Sequence, residues 1–148
     1  MATYSQILYH LVFSTKNRRP VLDAGSRDDL FRYVWGFLKN KECHLYRING
    51  VEDHVHILTS LHPTVALSDL IHDLKLATST WVKSEKIFPA FEKWQEGYGA
   101  FTISWPDRDG IIEYIKNQVE HHKSVSFREE YIQLLQKFDV KYEEKYLD

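Results

Sequence analysis

The chain has 148 residues, with 19 Lys and Arg against 21 Asp and Glu, a formal net charge of −2, and 43% apolar and 14% aromatic side chains. That composition excludes a disordered chain, suits one domain over residues 1–148 with a real core, and argues against bulk electrostatic attachment to nucleic acid. One cysteine, Cys43, precludes an internal disulfide; with no stretch that reads as a signal peptide or a membrane span, a cytoplasmic location is expected.

Residues 6–14 are rich in β-branched, aromatic and aliphatic side chains and predict a largely buried first strand. Lys16, Asn17, Arg18 and Arg19 then form the densest basic cluster, and Pro20 breaks the chain. Residues 23–41 carry Leu30, Val34, Phe37 and Leu38 at helical spacing, with Ser26 and Asp29 as a start signal for the helix core. Residues 44–49 and 54–61 read as two strands of a hairpin joined by a turn at 50–53. A second helix begins near Ser68 with a stripe of Leu70, Ile71, Leu74, Ala77, Thr78 and Trp81. A loop with Pro89, Gly97 and Gly99 leads to a fourth strand at 100–105. A third helix carries Ile111, Ile112, Ile115 and Val119, and residues 127–138 form a last one with Tyr131, Leu134 and Leu135. The order β-α-β-β-α-β implies an α+β, ferredoxin-like (RRM-like) core with an antiparallel sheet and added C-terminal helices, the first of them bearing a candidate nucleophile.

Two short segments carry the chemistry. His54 and His56 lie two apart on a strand and so share a face; Tyr114 and Gln118 lie four apart on a helix and project together. Face to face they supply two imidazoles, an amide oxygen and a phenol, the parts of a metal-assisted phosphoryl-transfer site. Alone, each half is weak. Neighbouring strand histidines often bond within a packed face, and a helix tyrosine is usually a core-edge residue with a wet hydroxyl. Asp53 either orients an imidazole or caps the hairpin turn. His10 reads most plainly as a satisfied core histidine, His121 and His122 as partners of terminal carbonyls or solvent, and Cys43 as a small buried residue.

The ordered set is more specific than its parts. It comprises Tyr9-His10-Leu11-Val12-Phe13-Ser14-Thr15-Lys16 with Arg18-Arg19-Pro20, and Asp53-His54-Val55-His56-Ile57-Leu58. It continues through Trp94-Gln95, Gly97-Tyr98-Gly99-Ala100-Phe101-Thr102-Ile103-Ser104, and Tyr114-Ile115-Lys116-Asn117-Gln118 with His121-His122. Ser126-Phe127-Arg128-Glu129-Glu130, Tyr142 and Tyr146-Leu147 extend it nearly end to end. In this the chain resembles the single-tyrosine transposases of small bacterial insertion sequences, members of the HUH nuclease superfamily.

The resemblance implies Tyr114 as the nucleophile, with His54, His56 and Gln118 holding a divalent cation, Mg²⁺ or Mn²⁺. It implies cleavage and rejoining of single-stranded DNA at hairpin-bearing element ends through a 5′-phosphotyrosine. It also implies a homodimer, in which the tyrosine helix can complete the partner's site after a hinge at 105–110. Lys16, Arg18 and Arg19 are the candidate phosphate contacts, and the acidic balance requires that surface to be local. A domesticated repeat-associated tyrosine transposase acting on chromosomal palindromes is the alternative with the same chemistry. A non-catalytic ferredoxin-like module binding single-stranded nucleic acid is the alternative from another class. A strand-based RNA binder would carry exposed aromatics where this hairpin carries His54 and His56. A replication-initiator or relaxase nuclease ranks last, since it needs a larger chain.

Overall fold

The computed structural model describes residues 1–147. Four strands, β1 (Leu8–Ser14), β2 (Leu45–Gly50), β3 (His54–Ser60) and β4 (Gly99–Ile103), form one antiparallel sheet in the order β2-β3-β1-β4. Helices α1 (Ala24–Asn40) and α2 (Leu67–Ser84) make the crossovers, so the expected β-α-β-β-α-β order holds. Three further helices, α3 (Arg108–Lys116), α4 (Gln118–His121) and α5 (Phe127–Lys137), follow the last strand. Among the described residues no helix is long and apolar enough to cross a membrane.

The central strands β1 and β3 are covered on both faces, which is why they read as near-continuous apolar runs. One face presents Leu11, Phe13, Val55 and Ile57 to Leu30, Val34 and Leu38 of α1 and to Leu70, Ile71 and Leu74 of α2. The other packs Val12 and Phe101 against Phe127, Leu134 and Leu135 of α5. The two-residue period of a strand therefore sends His54 and His56 to the α5 side, with Val12 directly opposite His56. Gly50 ends β2 where a Cβ would stand 2.5 Å from the His54 carbonyl oxygen; any side chain there would push the first histidine out of register.

Four local expectations are corrected. Helix α1 starts at Ala24 with Asp23 at its N-cap, so Ser26 lies inside the first turn rather than before it. The buried stripe of α2 runs on to Val82, whereas Trp81 stays half-buried and stacks on Tyr33 at 4.6 Å. Strand β4 stops at Ile103, and Trp105 stands exposed in a single turn under the Arg108 guanidinium, 3.8 Å from its ring. The expected third helix breaks at Asn117. Asn49 of β2 donates from Nδ2 to the carbonyls of Ile115 and Lys116 at 3.1 and 3.0 Å, taking acceptors a continuing helix would need. The break turns Gln118 fully into the interior and leaves Val119 49% exposed, the reverse of the unbroken stripe.

Candidate active site

His54 and His56 are wholly buried on adjacent outward positions of β3, and the segments after β4 close over them. Asp53, in the hairpin turn, accepts from His54 Nδ1 at 2.6 Å, which leaves Nε2 facing the interior. Phe127, the first residue of α5, stacks on the His54 ring at 4.2 Å. Burial alone would lower the His54 pKa, but the bonds to Asp53 and Glu130 outweigh it and raise the value above its ordinary range. His56 bonds through Nδ1 to His10 Nε2 at 2.8 Å, and burial dominates here: His56 falls to about 4 and His10 to about 3. His10 is thus a buried neutral partner that orients His56.

The structure brings Tyr114 and Gln118 to this pair within one chain. The Tyr114 hydroxyl donates to Glu130 Oε2, Gln118 Nε2 donates to the same oxygen at 3.0 Å, and Gln118 Oε1 lies 3.3 Å from His54 Nε2. Burial, and then the Glu130 charge, push the phenol above its ordinary value. The two side chains sit on different helices, α3 and α4, across the break at Asn117.

Three side chains were missed as members of the site. Glu130 of α5 is 1% exposed, and its Oε1 lies 3.3, 2.8 and 3.0 Å from Nε2 of His54, His56 and His122. Burial would raise its pKa, but those imidazoles hold the carboxyl far below the usual range. His122, expected to meet a helix-terminal carbonyl or solvent, bonds instead through Nδ1 to the Val125 carbonyl in the loop before α5 at 2.6 Å, and its Nε2 joins the cluster. His121 Nε2 is buried without a hydrogen-bond partner, 3.3 Å from Glu130 Oε2 but misaligned with it. A sequence signal for Glu130 existed: it lies in line with Phe127 and Leu134 on the buried face of α5, where an acid is costly unless paired.

Lys16 and Arg18 occupy a single helical turn after β1 (Lys16–Arg18), and Arg19 follows it. Asn17 and Arg18 are both left-handed, and the Asn17 amide is held by Gln95 Oε1 at 2.9 Å. Lys16 and Arg19 pair with Glu92 at 3.3 and 3.6 Å. Arg18 lines a hollow of about 420 Å³ shared with Asp53, His122 and Phe127, which sets the basic turn beside the histidine cluster. A second hollow, of about 600 Å³, opens onto His10, Tyr114, Lys137 and Phe138 from the other side.

Buried imidazoles, an amide oxygen and a carboxylate that converge on one point make a donor set for a divalent cation, and the His121 nitrogen beside them has no hydrogen-bond partner. The family described as "Transposase IS200 like" matches residues 3–118. The ISDra2 transposase TnpA of Deinococcus radiodurans is 27% identical over 123 residues, which cover 76% of this chain and 84% of that protein. The crystal structure of a candidate transposase from Deinococcus radiodurans R1 superimposes with a TM-score of 0.63 at 26% identity, over 80% of this chain and 95% of that one. A REP-associated tyrosine transposase bound to a REP hairpin gives a TM-score of 0.61 at 17% identity, over 84% and 76% of the two chains, and speaks for the fold alone.

Proposed function

Because the chain belongs to the IS200-like transposase family, we propose that it cleaves and rejoins single-stranded DNA at insertion-sequence ends, using Tyr114 as nucleophile in one catalytic domain spanning residues 1–148. The observation that carries this reading is the convergence of Tyr114 with His54, His56 and Gln118 around one buried carboxylate. These groups converge within one chain, and the protein is proposed to work as a homodimer in which the same tyrosine helix can complete the partner's site.

His54, His56 and Gln118 would hold the divalent cation, Mg²⁺ or Mn²⁺. Such an ion supplies polarisation of a non-bridging phosphate oxygen and offsets charge in the transition state. The chain's own residues do the rest. Asp53 and Phe127 lock the His54 ring between a hydrogen bond and a stack, and His10 fixes His56 by a hydrogen bond. Tyr114 Oη forms the bond to phosphorus while the bond to the 3′-oxygen breaks, leaving a 5′-phosphotyrosine and a 3′-hydroxyl. The phosphodiester energy is conserved in that ester, so a second 3′-hydroxyl can attack it and rejoin a strand without an external energy source. Lys16, Arg18 and Arg19 are proposed to hold strand phosphates beside the cluster. A DNA hairpin, the partner of the REP-associated neighbour, is the proposed recognition feature.

The test is a covalent-adduct assay on a denaturing gel, with single-stranded DNA from the ends of the chain's own locus, with and without Mn²⁺. A metal-dependent protein–DNA band that vanishes in Tyr114→Phe and weakens in His54→Ala is expected. A band that survives Tyr114→Phe would refute the nucleophile. Tight binding without any band would put the non-catalytic binding module first.

A further inference from the structure

Glu130 touches every group in the site, and the family match stops at Gln118, so it covers neither Glu130 nor His122. The geometry around Oε1 is informative. Ligands held at about 2.1 Å stand about 3.0 Å apart at neighbouring corners of an octahedron and about 3.4 Å apart in a tetrahedron. The imidazole nitrogens of His54, His56 and His122 lie 3.3, 2.8 and 3.0 Å from Glu130 Oε1, and the donor atoms of all four residues fall within 4.8 Å of one another. Gln118 Oε1 stands 3.3 Å from His54 Nε2, at the same spacing.

The outward sides of the rings agree. His54 gives its Nδ1 proton to Asp53, and His122 gives its own to the Val125 carbonyl at 2.6 Å, so the neutral form of each ring carries its lone pair on Nε2, aimed inward. His10 stands behind His56 in the same way, bonding the nitrogen that faces away from the cluster. Three imidazoles fixed from outside with their second nitrogens on one carboxylate oxygen are arranged to share a cation with it.

We propose that Glu130 and His122 complete the divalent-metal centre, Glu130 binding through Oε1 while its Oε2 holds the Tyr114 hydroxyl against that centre; this rests on the reading of His54, His56 and Gln118 as metal ligands. Two imidazoles and an amide form a neutral donor set. A buried carboxylate adds the hard anionic oxygen that Mg²⁺ and Mn²⁺ favour, and a third imidazole tilts the choice toward Mn²⁺. Through its second oxygen Glu130 is also a positioning residue, because the phenol and the cation share one rigid group.

The experiment titrates Mn²⁺ into the full chain, stripped by chelator and free of DNA, at pH 7.5, and follows free Mn²⁺ by its EPR signal. Wild type is compared with Glu130→Gln, Glu130→Asp, His122→Asn and His54→Ala. Glu130→Gln and His122→Asn are expected to weaken binding by roughly 10- to 100-fold. Glu130→Asp, which keeps the charge, should stay within about tenfold of wild type. Mn²⁺ should also bind more tightly than Mg²⁺ in a competition titration. If Glu130→Gln binds Mn²⁺ as tightly as wild type, or more tightly, while His54→Ala loses it, Glu130 is only an ion-pair partner of the histidines; the proposal then fails and the family reading survives. If His54→Ala also binds as wild type, the metal reading itself falls. Should circular dichroism show Glu130→Gln unfolded, a folded His122→Asn with undiminished affinity overturns the proposal by itself.

Discussion

Acid should destabilise the metal-free chain well before its carboxylates are protonated, because two buried histidines are held neutral. His10 and His56 are 1% and 0% exposed, and burial lowers them to about 3 and about 4. Released into an unfolded chain, each titrates near its ordinary value of about 6.5. Between those values the unfolded state binds protons that the folded state refuses, so stability is complete above pH 6.5 and falls as the pH drops. At pH 5 each histidine contributes a loss of about 2 kcal/mol. His54 acts in the opposite sense: its raised value adds stability at low pH that is lost as the pH rises through it. Glu130, held low by the imidazoles, keeps its contribution until the pH falls below the ordinary glutamate value of about 4.3. The net expectation from pH 7.5 to pH 5 is therefore a loss of about 2–4 kcal/mol. Urea unfolding followed by tryptophan fluorescence, with chelator present, should show the midpoint fall by roughly 1–2 M. His10→Asn should keep only about half of that pH dependence. An equal or higher midpoint at pH 5 would mean that the histidines are already charged in the fold, and would refute the neutral His10–His56 pair.

Tyr114→Phe should abolish the covalent adduct yet leave Mn²⁺ affinity within about threefold, since Glu130 keeps its other partners; losing one charge-assisted hydrogen bond should cost about 1.5–3 kcal/mol, a fall of about 3–12 °C in Tm by calorimetry. Asp53→Asn should weaken Mn²⁺ binding by roughly 10- to 100-fold, because the His54 ring loses the carboxylate that fixes its inward nitrogen. Glu92→Gln should tighten single-stranded DNA binding severalfold and steepen its salt dependence, measured by fluorescence anisotropy, because Lys16 and Arg19 lose their pairing with that carboxylate; unchanged affinity would remove the basic turn from the DNA surface.

The elements with a clean period were legible in the sequence. The β1 and β3 runs, the Leu30–Val34–Leu38 stripe and the Leu70–Ile71–Leu74 stripe declared their element types and most of their buried faces, and the β-α-β-β-α-β order followed. His54 and His56 were legible for the same reason: strand alternation alone puts them on one face. What failed to show depended on distant partners. Nothing local announces that Asn49 will take the carbonyls of Ile115 and Lys116, so the break that buries Gln118 and exposes Val119 was invisible. The 85–98 connection read as a loop because its turn residues stood out, yet Phe88, Phe91 and Trp94 fill the α1–α2 side of the core, and Trp94 Nε1 donates to Thr78 Oγ1 at 2.9 Å. Glu130 was the most consequential omission: propensity treats a helical glutamate as surface, and only the tertiary fold supplies its imidazoles.

On the reading proposed here, Glu130 explains both why Tyr114 is in place and why it is unreactive at rest. Its second oxygen accepts the phenolic proton's hydrogen bond, which orients the nucleophile, but its charge and the surrounding burial both push the phenol upward, away from the reactive phenolate. Moving Tyr114 into solvent would relieve both effects and lose the orientation. The opposition can instead be lifted without moving anything, by placing positive charge against the first oxygen, where the three imidazoles converge. Because Oε1 and Oε2 belong to one carboxylate, orientation and restraint cannot be separated by evolution or by mutation at this position. A variant that frees the phenol from restraint also loses its aim, so Glu130→Ala should lower adduct formation even though it removes the negative charge that opposes ionisation.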